Sequence, residues 1–69
     1  MGQFENVSID VVSPLYNDQE VVAHLCSAVF TELESEFKSV NLILVDDGST
    51  DATFHTAQDI TETENRIRL

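Results

Sequence analysis

The sequence has few of the residues that stabilise very small proteins or bind nucleic acids. It contains one cysteine, so no disulfide can form within the chain. That cysteine and the two histidines also lack the spacing of a structural metal site. Three bases stand against thirteen acids, and the resulting net charge of -10 repels nucleic acids and anionic membranes. No apolar run approaches the length of a membrane span.

The length and composition indicate one small globular unit. A chain of 69 residues forms at most one domain, and its hydrophobic share of 42% is too high for a disordered protein. Met1–Asn6 lacks the basic and apolar segments of a signal peptide. A single free cysteine fits a reducing compartment. We therefore expect a cytoplasmic location.

Local patterns in the first half predict a strand followed by a helix. Val7–Ser13 is rich in β-branched residues and predicts a strand, which Pro14 should end. Asn17 with Glu20 three residues later resembles a capping box. Apolar residues at helical spacing then predict a helix over residues 18–37.

The second half repeats this order. After a connection at residues 39–41, the apolar run over residues 42–46 predicts a strand that is buried on both faces. Gly48 supports a tight turn, and Ser49 or Asp51 is expected to cap a helix over residues 50–62. The alternating segment 66–69 predicts the opening of a third strand. Two successive strand-helix units predict an α/β fold with right-handed crossovers and a parallel sheet in β-α-β-α-(β) order.

The carboxyl ends of parallel strands share one edge of a sheet, and ligands bind open α/β sheets there. We therefore expect one crevice that contains Tyr16, Asn17, Asp18, Asp46 and Asp47. An aromatic wall and a carboxylate acceptor suit the base and ribose of a nucleotide. In the alternative interpretation, Tyr16 covers the sheet edge and the two aspartates accept hydrogen bonds from turn N–H groups.

Other kinds of site fit the sequence less well. No glycine-rich dinucleotide fingerprint or Walker loop follows either strand, and the serines lack a nucleophile elbow. A metal pair at Asp46 and Asp47, as in phosphorelay receivers, would need an aspartate and a lysine on later strands, which the sequence does not contain. We interpret His24 and His55 as surface or boundary residues and Cys26 as a small buried apolar group.

Two motifs together resemble the start of family 2 glycosyltransferases, enzymes whose GT-A fold contains a Rossmann-like sheet that binds a nucleotide-sugar. They are Pro14-Leu15-Tyr16-Asn17-Asp18 and Val45-Asp46-Asp47-Gly48-Ser49-Thr50-Asp51. The resemblance implies that Pro14, Leu15 and Tyr16 lie against the base and ribose, that Asp18 contacts the nucleotide, and that Asp47 hydrogen-bonds the base. Ser49 completes the implied nucleotide-binding set, although its position, like that of Asp46, more often shapes the turn.

The resemblance also sets expectations for the whole protein. The family's Asp-x-Asp metal site and its catalytic base are not found in this sequence, so the ligands of the expected Mg²⁺ or Mn²⁺ ion would lie outside it, and no catalytic residue is expected here. We expect residues 1–69 to be one partial domain, the N-terminal half of a truncated GT-A fold, and to be inactive alone. Asp10, where the family has an apolar residue, is the main departure within the matched strands.

The full-length enzyme would transfer a sugar from a nucleoside-diphosphate sugar to a glycan hydroxyl or a polyprenyl phosphate. We expect this reaction to serve cell-envelope polysaccharide synthesis, in the cytoplasm or at the inner face of the membrane. The alternative is a non-catalytic module that associates with copies of itself through exposed sheet edges.

Overall fold

The computed structural model describes residues 4–69, so the first half of Met1–Asn6 lies outside the described residues. Three strands and two helices alternate along the chain: β1 (Phe4–Leu15), α1 (Val22–Leu33), β2 (Phe37–Asp46), α2 (Thr53–Thr63) and β3 (Ile67–Arg68). The strands form one parallel sheet in the order β1-β2-β3. The predicted α/β fold, its parallel strands and the opening of a third strand are confirmed.

Both helices pack on the same face of the sheet. Crossovers of one hand that move in one direction across a sheet place their helices on one side, and α1 and α2 contact each other there. The core between these helices and the sheet consists of the buried residues Leu15, Val22, Cys26, Phe30, Val40, Leu42, Leu44, Ala57 and Ile67. No helix within residues 4–69 is long and apolar enough to cross a membrane.

The opposite face of the sheet is open to solvent within the described residues. We call Val12, Pro14, Ile43 and Val45 the bare face; they form two cross-strand pairs, Val12 with Ile43 and Pro14 with Val45. Val12 is 62% exposed and Val45 is 49% exposed. The prediction that β2 is buried on both faces is therefore wrong for this part of the chain, because both crossover helices cover the other face.

Strands β1 and β2 are longer than the local patterns predicted. Pro14 does not end β1; it lies in the ladder opposite Val45. Proline is tolerated there because β1 is an edge strand among the described residues. Residues 39–41, predicted as a connection, lie inside β2. That strand begins at Phe37, whose ring stacks on the ring of Phe4 with centroids 5.3 Å apart.

Both helices begin and end differently from the prediction. The first helix does not extend over residues 18–37, because its N-cap residue is Val21, which makes no side-chain cap, and Phe37 belongs to β2. The predicted capping box at Asn17 and Glu20 is therefore wrong. The second helix has Ala52 as its N-cap residue, so neither Ser49 nor Asp51 occupies that position.

One arginine joins the far ends of both helices to β3. Arg66 donates from Nε to Glu64 at 2.9 Å and from a terminal nitrogen to Glu34 at 3.3 Å. Its guanidinium also lies 4.1 Å from the centre of the Phe30 ring. We call Glu34, Glu64, Arg66 and Phe30 the arginine clamp. The hydrogen bonds from Arg66 lower the pKa of Glu64 to about 2.

Candidate functional site

The segments that follow β1 and β2 lie side by side at one edge of the sheet. The last rungs of the β1–β2 ladder pair Pro14 with Val45 and Leu15 with Asp46. One residue further, the N–H of Asp47 donates to the carbonyl oxygen of Leu15 at 2.9 Å. The expected convergence of these two segments is therefore present. We call residues 16–21 the first loop, residues 47–52 the second loop, and the two together the rim.

Asn17 connects the two loops through its backbone and its side chain. Its backbone N–H donates to Ser49 Oγ at 3.0 Å, and its Oδ1 accepts from the N–H of Thr50 at 2.9 Å. Asn17 has a φ of 51°, a left-handed conformation that asparagine adopts more readily than most residues. The amide that was predicted to cap α1 is thus used to bind the other loop.

A second group of hydrogen bonds joins the first loop to the start of α2. The N–H of Asp18 donates to Thr53 Oγ1 at 2.7 Å, and Gln19 Oε1 accepts from the N–H of Ala52 at 2.8 Å. The hydroxyl of Thr53 donates in turn to Asp51, whose carboxylate also accepts the N–H of Thr53 at 2.9 Å. Although Asp51 is not the N-cap residue, it satisfies one of the free N–H groups at the start of α2.

The second loop turns sharply at Gly48. Its φ of 76° lies in the left-handed region, where a side chain would add strain. Ser49 donates from its hydroxyl to one oxygen of Asp46, and its N–H lies 3.4 Å from the other. Asp46 therefore serves as the acceptor within the turn, which agrees with the turn-shaping position that the resemblance implied.

The six candidate nucleotide-binding residues differ in what they expose. Tyr16 is 58% exposed, and Pro14 and Asp47 are also exposed. Leu15 is 1% exposed and belongs to the core, so only its backbone reaches the rim. Asp18 and Ser49 are half-buried. The geometry thus brings one aromatic ring and one free carboxylate to the surface of the same edge.

Among the four aspartates Asp18, Asp46, Asp47 and Asp51, Asp47 is the one whose carboxylate accepts no hydrogen bond. Asp18 Oδ2 accepts from the N–H of Tyr16 at 2.8 Å, and Asp46 and Asp51 each bind a hydroxyl. Within residues 4–69 the Asp47 side chain accepts no hydrogen bond. A ligand that brings an N–H or hydroxyl donor would meet this carboxylate without displacing an existing bond.

The rim carries a negative charge. The loops carry carboxylates at Asp18, Glu20, Asp47 and Asp51, and neither loop contains a lysine or an arginine. The hydrogen bond from the Thr53 hydroxyl is the main cause that lowers the pKa of Asp51, with a further contribution from the Thr53 N–H and opposition from desolvation. The rim is therefore suited to neutral donors and repels a diphosphate group.

The predicted site did not include Thr53, Gln19 and Thr50, whose hydrogen bonds join the two loops. Each of them bonds to a residue about 33 positions away. A signal for Thr53 was nevertheless present, since a threonine two residues after an aspartate at a helix start can form a local side-chain turn.

Comparison with known families then decides the class. A model of glycosyl transferase family 2 matches residues 10–69, which include both strand ends and the whole rim. The chain belongs to this family. No solved structure matches the chain significantly.

Family 2 membership implies a nucleotide-sugar donor and an acceptor in general terms. Residues 4–69 contain no group of three or more histidine, cysteine, aspartate or glutamate residues that could hold a metal ion. The described residues therefore do not fit the divalent cation that we expected for the full-length enzyme.

Proposed function

We propose that this family 2 segment is the nucleotide-recognition part of a glycosyltransferase domain, of which residues 1–69 form the N-terminal half. The full-length enzyme would transfer a sugar from a nucleoside-diphosphate sugar to a glycan hydroxyl or a polyprenyl phosphate. The observation that carries the proposal is the exposed ring of Tyr16 on the same sheet edge as the unengaged carboxylate of Asp47.

Asp47 is proposed as the group that recognises the nucleoside. An ionised carboxylate only accepts hydrogen bonds, so it selects ligand donors such as an imide N–H of a base or a ribose hydroxyl. Hydrogen bonds to charged groups contribute about 1.5–3 kcal/mol. Since no protein group occupies this carboxylate within the described residues, a ligand donor would displace only water from it.

Tyr16 is proposed as the wall against which the base or ribose packs, with Pro14 extending that surface. Leu15 would contribute through the backbone alone, because its side chain lies in the core. Asp18 keeps one oxygen for a ligand after it accepts the N–H of Tyr16. Ser49 would support the turn that presents Asp47, and any contact it makes with the nucleotide would be secondary.

Sugar transfer would require groups that residues 4–69 do not provide. The acidic rim repels the donor's diphosphate, and a Mg²⁺ or Mn²⁺ ion bound by other residues of the full-length enzyme would offset that repulsion. We therefore propose that the 69-residue chain binds nucleosides weakly and transfers no sugar. A cytoplasmic location, at the inner membrane face when the acceptor is lipid-linked, would follow from this function.

Tyr16 makes the proposal directly testable, because the chain contains one tyrosine and no tryptophan. The fluorescence lifetime of Tyr16 would be measured during titrations with uridine, guanosine, adenosine and thymidine, and with their diphosphates. We expect the lifetime to change with one or two of these nucleosides, and each nucleoside to bind at least as tightly as its diphosphate. If no nucleoside changes the lifetime up to millimolar concentration, the proposed function is wrong for this segment.

A second candidate function is self-association without catalysis, and the bare face favours it. Val12 on β1 and Val45 on the neighbouring strand β2 are both largely exposed. Both outer strands of the described sheet also have unpaired edges. Sedimentation equilibrium tests this candidate. Self-association requires a dimer or a larger assembly, whereas nucleotide recognition does not, so a stable monomer would count against it.

A further inference from the structure

The rim contains the same three-group arrangement twice. In each copy, a backbone N–H of the first loop donates to a hydroxyl oxygen, and that hydroxyl donates to an aspartate carboxylate at the end of β2 or in the second loop. We call each copy a relay. Two consecutive residues of the first loop, Asn17 and Asp18, supply the two N–H groups.

The first relay runs from Asn17 to Ser49 and from Ser49 to Asp46. The N–H of Asn17 lies 3.0 Å from Ser49 Oγ, and the Ser49 hydroxyl donates to Asp46. The second relay runs from Asp18 to Thr53, over 2.7 Å, and from the Thr53 hydroxyl to Asp51.

The middle group of each relay has to be a hydroxyl. A carboxylate cannot donate, so it directs the hydroxyl hydrogen toward itself and leaves the oxygen lone pairs for the incoming N–H. Thr53 is 0% exposed, so water cannot replace its hydroxyl without movement of the loops. Removing that hydroxyl leaves the Asp18 N–H without its partner, whereas serine at the same position keeps both bonds.

The residues of the two relays are adjacent in sequence to Tyr16 and Asp47, the two residues that the proposed function uses. Tyr16 directly precedes the two N–H donors, and Asp47 lies between Asp46 and Ser49 in the first relay. The side chain of Asn17 adds a further bond to the N–H of Thr50 at 2.9 Å. These bonds therefore hold the backbone segments that carry Tyr16 and Asp47 next to each other.

We propose that Thr53 and Ser49 are positioning residues, which hold Tyr16 and Asp47 at the spacing that a nucleoside needs, without contacting the nucleoside themselves. The inference depends on the proposed function for its ligand, but the relays exist independently of it. Preorganised groups bind more tightly because the ligand does not have to order them.

The test compares Thr53→Val, which removes the hydroxyl at nearly constant volume, with Thr53→Ser, which keeps it. Thr63→Val is the matched control, because Thr63 is exposed in the same helix and its hydroxyl bonds only to the Ile60 carbonyl. We expect Thr53→Val to weaken nucleoside binding about tenfold. Thr53→Ser and Thr63→Val should change binding less than about threefold.

Two measurements without nucleoside show whether the relay itself is present. Carboxyl NMR should show that the pKa of Asp51 rises in Thr53→Val and is unchanged in Thr53→Ser. The fluorescence anisotropy of Tyr16 should fall in Thr53→Val because the first loop becomes more mobile. An unchanged Asp51 pKa together with an unchanged anisotropy would overturn the proposal.

The outcomes separate this inference from the proposed function. If the parent chain binds no nucleoside, the proposed function fails. The pKa of Asp51 and the fluorescence anisotropy of Tyr16 still show whether the relay orders the rim. If Thr53→Val binds nucleosides as tightly as the parent chain, the positioning role is overturned and the proposed function stands. Should Thr53→Val fail to fold, Ser49→Ala and Ser49→Thr give the same comparison at a less buried hydroxyl, with anisotropy and binding as the deciding measurements.

Discussion

Two neighbouring aspartates at the end of β2 have different roles. Asp46 is half-buried and accepts from the hydroxyl of Ser49, so it stabilises the turn. Asp47 is exposed, and its N–H continues the sheet ladder to the Leu15 carbonyl while its carboxylate stays unengaged. Successive residues at the end of a strand point in opposite directions, which explains why adjacent carboxylates serve structure and recognition separately.

Substitution of the unengaged carboxylate should affect binding and leave stability nearly unchanged. We expect Asp47→Asn to weaken nucleoside binding about tenfold, because a neutral acceptor replaces a charged one. The melting temperature should move by no more than about 2 °C, since surface substitutions away from special contacts usually have small effects. Fluorescence-lifetime titration and circular dichroism measure the two quantities.

Asp59→Asn is the control for this substitution. Asp59 is an exposed acid on α2, and its replacement changes the net charge by the same amount. An equal loss of binding in both variants would show that overall charge, and not the Asp47 carboxylate, governs binding.

The single cysteine reports on the packing of α1. Cys26 is 4% exposed, and burial raises the pKa of its thiol, so the native chain presents little thiolate. We expect a disulfide reagent to label Cys26 at least about a hundredfold more slowly in buffer than in denaturant, because labelling requires opening of the core. Comparable labelling rates in the two conditions would contradict the packing of α1 on the sheet.

At the level of secondary structure elements, the sequence correctly indicates their order and misplaces their ends. Phe37 continues the apolar periodicity of α1, yet it begins β2 and stacks on Phe4, which lies more than thirty residues earlier. Asn17 has a good capping sequence, yet its amide binds Thr50. In both cases a distant contact overrides a local preference, and a single sequence does not show which distant residues meet.

Because of the arginine clamp, the chain should lose stability as the pH becomes acidic. The folded-state pKa of Glu64 is about 2, below its ordinary value of 4.5, because Arg66 hydrogen-bonds the carboxylate. A lowered pKa means that the clamp contributes its full stability above about pH 4.5 and loses it as the pH falls toward 2. We expect Glu64→Gln to lower the melting temperature at pH 7 by roughly 2–6 °C and to have little effect at pH 2.

Glu62→Gln is the matched control for the clamp, since Glu62 is an exposed acid at the end of the same helix. Its melting temperature should follow that of the parent chain at every pH. Salt should weaken the effect of Glu64→Gln because Arg66 and Glu64 are partly exposed. An effect of Glu64→Gln that is the same at pH 7 and pH 2 would contradict the clamp.

At the scale of the whole molecule, family membership and the meeting of the two loops follow from two short motifs, because parallel strands bring their carboxyl ends to one edge. The extent of burial did not follow from the sequence. The apolar run of β2 is typical of a strand buried on both faces, but Ile43 and Val45 lie on the bare face of residues 4–69. Burial on the second face depends on what packs there, which the run itself does not specify.

The bare face and the net charge have opposite effects on association. Exposed valines favour contact between copies, whereas a charge of -10 on each copy opposes their approach. We expect the chain to sediment as a monomer at low ionic strength and to associate as salt rises toward about 1 M, where the screening length falls to about 3 Å. Sedimentation equilibrium across a salt series measures this balance.

Neutral substitutions identify the surface involved. Val12→Thr combined with Val45→Thr removes apolar area from the bare face at constant charge and shape, so the salt-induced association should be lost. Val7→Thr is the matched control, because Val7 is also an exposed valine of β1 but lies outside the bare face. Association that persists in the double variant would assign the contact to the unpaired strand edges, which these side-chain changes leave intact.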